Sequence, residues 1–166
     1  MKKAIFILLF FSINAIAIPA NISVCFTPSE NCAGEIVNEI NSAQRTLFIQ
    51  AYQFTSAPIA SAVASAKRRG VDVRIILDKT QASEKRYSAA KFFSDSGIPV
   101  WIDRHVAIAH NKVMIIDNKE VITGSFNFTK AAQQRNAENL LIIKSVEVAN
   151  LYQNNFYKRM GASSIY

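Results

Sequence analysis

With two histidines in 166 residues, imidazole chemistry has few places to reside, and one of the two sits in a patterned segment. His110-Asn111-Lys112 is followed after four residues by Asp117, and after six more by Gly124-Ser125-Phe126-Asn127. Alternate residues of a strand face one side, so His110 and Lys112 point together, as do Ser125 and Asn127. A two-residue hairpin turn at Asn118-Lys119 sets Lys112 opposite Ser125 and His110 opposite Asn127. Cross-strand partners share a face, so an imidazole, an ammonium, a hydroxyl and an amide converge. Val113, Ile115, Phe126 and Phe128 then fall on the other face, toward a core.

Such a patch suits a phosphodiester. Lys112 supplies positive charge, and Ser125 and Asn127 supply hydrogen-bond donors for non-bridging oxygens. Gly124 has no side chain to obstruct close approach of the backbone. His110 is the candidate nucleophile or acid–base catalyst. Parity sends Asp117 to the opposite face, at the turn, where its expected role is structural. His-x-Lys alone is usually a solvated strand face and Ser-x-Asn alone a turn, but their joint occurrence at hairpin-matched spacing outweighs those readings.

The elements that must hold this patch alternate between strand and helix. Strands are expected at Ile22–Phe26, Thr46–Tyr52, Val71–Leu77 and Ile98–Ile102. Helices are expected from Gly34 to Gln44, from Pro58 to Arg69 ahead of Gly70, and from Glu84 to Asp95 ahead of Gly97. After these come Lys112–Asp117, Val121–Ser125 and Asn139–Ile143, then a last helix over Val146–Met160. The pattern implies a single-domain α/β/α sandwich with a mixed β-sheet, mainly parallel at its start. No repeat, linker or low-complexity tract divides it.

Ahead of that domain, Lys2 and Lys3 precede the apolar run Ala4 to Phe11, and Ala15-Ile16-Ala17 follows at cleavage spacing. This reads as a secretory signal peptide within residues 1–20, cut after Ala17 or Ala20, with the mature domain at 21–166. Export to the periplasm or medium makes a disulfide between Cys25 and Cys32 possible across the turn-rich Phe26-Thr27-Pro28-Ser29-Glu30-Asn31. Two buried thiols are the alternative. No third and fourth ligand lie nearby at zinc-like spacing, so no metal is expected. Nineteen Lys and Arg against twelve Asp and Glu give +7, falling to +5 without Lys2 and Lys3, which favours polyanionic partners.

His110, Lys112, Asp117, Gly124, Ser125 and Asn127 match without a gap the His-x-Lys-x4-Asp-x6-Gly-Ser-x-Asn pattern, and the chain thereby resembles the phospholipase D superfamily. Phe26-Thr27-Pro28, Ala51-Tyr52-Gln53-Phe54-Thr55, Lys67-Arg68-Arg69-Gly70-Val71-Asp72-Val73 and the run from Gly124 to Ala132 resemble its small, single-motif bacterial endonucleases. The resemblance implies a reaction with no cofactor and no metal. One histidine forms a phosphohistidine, while a second protonates the leaving oxygen and then activates water. It implies a homodimer with one shared site, since this chain has one motif, and it gives Glu138 the role of holding a catalytic imidazole. His105 matches no motif position and reads as a rim residue.

On this reading the leading function is a non-specific endonuclease acting on DNA, and on RNA as well. The alternative is a phospholipase D-type hydrolase of phospholipid headgroups, and a non-catalytic nucleic-acid binder ranks third. No amphipathic insertion segment is visible in the sequence, which counts against the lipid substrate. Lys79, Lys85, Arg86 and Lys91 are candidates for gripping backbone phosphates. Tyr52 and Phe54 are candidates for the border of the cleft or for the core.

Overall fold

A computed structural model describes residues 18–82 and 88–166. The leader up to Ala17, Lys85, Arg86 and the first residues of the helix expected from Glu84 lie outside the described residues.

In chain order the elements are β1 (Asn21–Thr27), α1 (Cys32–Ser42), β2 (Thr46–Ala51), α2 (Ala57–Arg68) and β3 (Asp72–Asp78), then a 3-10 turn (Lys79–Ala82). They continue with α3 (Ala89–Asp95), β4 (Val100–Asp103), β5 (Lys112–Ile116), β6 (Glu120–Gly124), α4 (Lys130–Gln134), β7 (Glu138–Lys144), α5 (Val146–Gly161) and β8 (Ser164–Ile165). The strands form one mixed sheet, ordered β1-β7-β6-β5-β2-β3-β4-β8. β2, β3 and β4 are parallel neighbours, as expected of the βα alternation that builds them. β1 does not join them. It pairs antiparallel with β7 at the far edge.

Helices cover both faces. α1, α2 and α3 pack Ile36, Ile40, Ile59, Val63 and Phe93 onto one side, where Leu47, Ile49, Val73, Ile75, Met114 and Ile122 meet them. α5 packs Ala149 and Phe156 against Phe48, Ile76, Val113, Ile115 and Val121 on the other. The central strands are buried on both faces, which explains their nearly unbroken apolar sequence. α1 starts where the Asn31 side chain accepts from the Gly34 N–H, and a Cys25–Cys32 disulfide fastens its first residue to β1. α4 and β8 have no counterpart among the expected elements, because a five-residue helix and a two-residue strand are too short to carry a period.

The β5–β6 hairpin differs from the expected register by one residue. Its central turn residues are Asp117 and Asn118, at φ +52° and +54°, and the Lys119 N–H donates to the Ile116 carbonyl at 3.1 Å. Asp and Asn tolerate the left-handed region and Lys does not, so the turn sits one position earlier. Lys119 is left as a third loop residue, so Ile116 pairs with Glu120 and Val113 with Thr123, which brings Lys112 level with Gly124 and not with Ser125. A second correction follows. Val113 and Ile115 pack under α5, whereas Phe126 and Phe128 belong to the opposite core with Met114 and Ile116.

Candidate active site

The site forms at the end of the sheet where β1, β2, β3 and β6 finish and β5 and β7 begin. Lys112, Gly124 and Glu138 each lie two residues from a buried core position of their strand, Met114, Ile122 and Leu140, and so share that face. Gly124 ends β6 at φ +147°, and a methyl group there would run into the Asn139 carbonyl oxygen of β7. The close approach that requires glycine is thus made by a neighbouring strand. Beyond it Phe126 and Phe128 are fully buried, and the Thr55 and Ser56 N–H groups both donate to the Phe128 carbonyl at 2.9 Å. Ser125 and Asn127 alternate with these anchors, so the departing chain delivers both to the site despite the shifted register.

One open cleft of about 450 Å³ is lined by His110, Lys112, Gly124, Ser125, Asn127 and Glu138. Lys112 is only 7% exposed, and its ammonium lies 3.0 Å from His110 Nδ1 and 2.8 Å from the His110 carbonyl oxygen. Lys112 thus meets the His110 ring at its Nδ1 edge, where the ring tautomer sets which partner donates. Burial lowers the Lys112 pKa, against an opposing pull from Glu138. Ser125 Oγ donates to Glu138 Oε2 at 2.6 Å and accepts the Asn139 N–H at 3.0 Å. Among the described residues the Asn127 side-chain oxygen is buried without a hydrogen-bond partner, an uncommitted polar group on the cleft wall.

Asp117 stands away from the cleft and ties the hairpin to the loop before β2. Its carboxylate accepts from the N–H groups of Gln44, Arg45 and Thr46, the shortest at 2.7 Å. Burial alone would raise its pKa, but those N–H groups and Lys119 outweigh it and hold the carboxyl below the ordinary range. His105 lines a separate depression with Arg104 and Ser163, and not the cleft. Lys91 pairs with Asp95, and Lys79 donates to the Val106 carbonyl, so neither lines it.

This arrangement places an imidazole, a buried cation, a hydroxyl and an amide around one opening, the equipment for attack at phosphorus. A family model described as "Cardiolipin synthase, PLD-like domain" matches residues 36–160. The chain belongs to the phospholipase D superfamily. It is a phosphodiester hydrolase of that superfamily. A protein named "Phospholipase D" from Rickettsia felis is 44% identical over 144 residues, which span 87% of this chain and 72% of the relative. A "Mitochondrial cardiolipin hydrolase" of Mus musculus is 32% identical over 80% of this chain and 60% of its own length. The solved structure of Nuc, a phospholipase D family member from Salmonella typhimurium, superposes with TM-score 0.84 at 35% identity, over 89% of this chain and 99% of Nuc. NucT from Helicobacter pylori gives 0.82 at 26% identity, over 89% of this chain and 100% of NucT.

Three residues outside the motif support this phospholipase D-type cleft, and of these Asn136 and Thr27 carry no spacing signal. The Tyr52 ring lies 4.6 Å from the His110 ring and 5.3 Å from Lys112 Nζ, and its N–H donates to the Asn111 carbonyl. Asn136 Nδ2 donates to Glu138 Oε1 at 2.8 Å. Thr27 Oγ1 donates to the Asn136 carbonyl and accepts the Glu138 N–H. Tyr52 takes the cleft-border place named for it as a candidate, whereas Thr27 stands far from the motif in sequence and only the flanking resemblance marks its segment. Phe54 is core, ringed by Phe93 and Phe128.

Proposed function

We propose that this chain cleaves the headgroup phosphodiester of phospholipids without a metal, through a phosphohistidine on His110, in a cleft shared by two copies. The gathering of His110, Lys112, Ser125, Asn127 and Glu138 around one opening carries the phosphodiester chemistry. The relatives named phospholipase D support lipid over nucleic acid, which reverses the order suggested by charge and flanking sequence.

A nitrogen lone pair of His110 attacks phosphorus as the bond to the leaving alcohol breaks, and a second imidazole gives that alcohol its proton. The second imidazole then takes a proton from water, whose oxygen attacks phosphorus and frees His110. Lys112 and the Asn127 amide stabilise the phosphoryl oxygens as charge builds, while the Ser125 hydroxyl, its one proton donated to Glu138, lines the cleft and braces that carboxylate. Glu138, fixed by Ser125 and Asn136, orients an imidazole. Two imidazoles are needed and each chain brings one to the cleft, so the other comes from a second copy. The stripe Ile22, Val24 and Phe26, each at least half exposed on the α5 side of the edge strand β1, supports such a partner. Among the described residues no helix is long and apolar enough to cross a membrane. The Cys25–Cys32 disulfide fits an oxidising compartment and supports export, with the leader removed after Ala17 or Ala20.

A nucleic-acid substrate is the second reading, favoured by the basic charge, +5 once Lys2 and Lys3 leave with the leader, and by the likeness to Nuc. Headgroup release from vesicles and plasmid nicking, both assayed in EDTA, separate the two. The expected result is headgroup release that persists in EDTA, vanishes in His110→Ala and belongs to a species sedimenting as two chains. Nicking without headgroup release would replace lipid by nucleic acid. Loss of turnover on adding EDTA would overturn the metal-independent route.

A further inference from the structure

The loop joining β4 to β5, residues 104–111, crosses the ends of β3 and β2 at the mouth of the cleft. Its composition changes sharply along its length: Arg104 and His105 are exposed cations or potential cations, and Val106-Ala107-Ile108 follows as an apolar tip. Ile108 is 56% exposed, although it stands only two residues before His110. The loop is held from below. The Ala109 N–H donates to Asp78 Oδ2 at 2.8 Å, Lys79 Nζ donates to the Val106 carbonyl at 3.3 Å, and the His105 N–H donates to Asp103 Oδ1 at 3.1 Å. Asp78 and Asp103 are both 1% exposed, and Asp103 is itself bound by Arg159 of α5. An apolar tip in water gains nothing, yet buried carboxylates anchor this one beside the candidate nucleophile.

We propose that residues 104–108 form the contact by which the protein seats on an anionic lipid surface, with Ile108 entering the acyl boundary and Arg104 and Lys79 meeting headgroup phosphates. The inference rests on the phospholipid reading and adds that the substrate is taken from a surface. Apolar residues rimmed by cations match the two layers of a bilayer interface, apolar below and negatively charged above. Two residues of extended chain span about 7 Å, so a headgroup beside the inserted tip is within reach of His110. Such an element has no sequence signature, because an interfacial helix announces itself by its period and a pinned loop has none.

The test compares the mature wild-type protein with Ile108→Ser and Ile108→Leu on two substrates. One is vesicles of phosphatidylcholine containing phosphatidylglycerol. The other is a short-chain phospholipid kept monomeric, which offers the same phosphodiester without a surface. Flotation of protein with the vesicles is measured alongside turnover, so the surface contact is read even if no lipid is cleaved. Ile108→Ser should need about tenfold more vesicle lipid for half-maximal flotation and turnover. It should keep the wild-type rate on the monomeric lipid and the wild-type melting temperature, and Ile108→Leu should behave as wild type throughout. Unchanged flotation of Ile108→Ser would overturn the proposal and leave the lipid-hydrolysis reading standing. Flotation that depends on Ile108 without any lipid cleavage would uphold the surface contact and sink the hydrolysis reading. Conversion of two chains to one in sedimentation of Ile108→Ser would make the loop a subunit contact and likewise overturn the proposal.

Discussion

Lys112 shows how tightly the cleft couples charge to burial. The residue is only 7% exposed, the two hydrogen bonds of its ammonium both go to His110, and the Tyr52 ring lies 5.3 Å away, yet Lys112 still lines the open cleft. Replacing it by Met should leave the fold intact and cut kcat/KM by roughly 10²- to 10³-fold, as loss of one preorganised electrostatic group does. Arg is no substitute, since a planar fork cannot occupy the space of a point charge. Because burial lowers the Lys112 pKa, the ammonium is lost at a pH below the ordinary lysine range of about 10.4. The kcat/KM profile should therefore fall on its alkaline side earlier than a free lysine would allow, and a profile flat through that range would contradict the role. At this scale the gathering of His110, Lys112, Ser125 and Asn127 was legible in the sequence from their alternate spacing, although only Lys112 lies in a strand, His110 preceding β5 and Ser125 and Asn127 following β6. The sequence was silent on Asn136, which is known only by its hydrogen bonds, its side chain to Glu138 and its carbonyl from Thr27.

The hairpin and its neighbours show why the site survived a register error. Parity fixes which residues of one strand agree, but pairing depends on where the turn falls, and that was decided by the left-handed tolerance of Asp117 and Asn118. The convergence was rescued by Gly124, where β6 ends and the chain swings toward β7. Gly124→Ala should destabilise the protein by about 2–3 kcal/mol, combining a strained backbone with the collision against Asn139, measurable by chemical denaturation. Asp117→Ala should cost about 3 kcal/mol, since three N–H groups lose a charged acceptor. The sign of its pH dependence follows from the depressed pKa. The stabilisation from Asp117 is complete above the ordinary carboxylate range and disappears as pH falls through the lower folded value. Asp117→Asn should accordingly flatten the acid limb of the stability curve.

Across the whole molecule the parallel half was readable from its βα alternation, whereas the placement of β1 was not, because nothing local tells a first strand which edge to join. At the end of the sheet remote from the cleft, Glu120 is 4% exposed, and burial, then Glu39, raise its pKa to about 6 against the pull of Lys144, whose Nζ lies 3.5 Å away. A raised carboxyl pKa means that the folded state holds its proton longer. Stability should therefore decline by about 2 kcal/mol as pH rises from the ordinary carboxylate range through 6, and stay level above it. Glu120→Gln should remove that decline in thermal melts across pH 4 to 8; an unchanged slope would assign the decline to other groups. The edge pairing of β1 with β7 has one more consequence. Thr27 aligns with Glu138 across 111 residues, so the first strand to be synthesised finds its partner only when nearly all the others exist. Such distant closure comes late in folding, because the intervening chain must be ordered before the contact repays its entropy. A nascent or truncated chain already carries His110 and Lys112 but lacks the braced Glu138, and full assembly of the catalytic cleft thus waits on completion of the chain through β7.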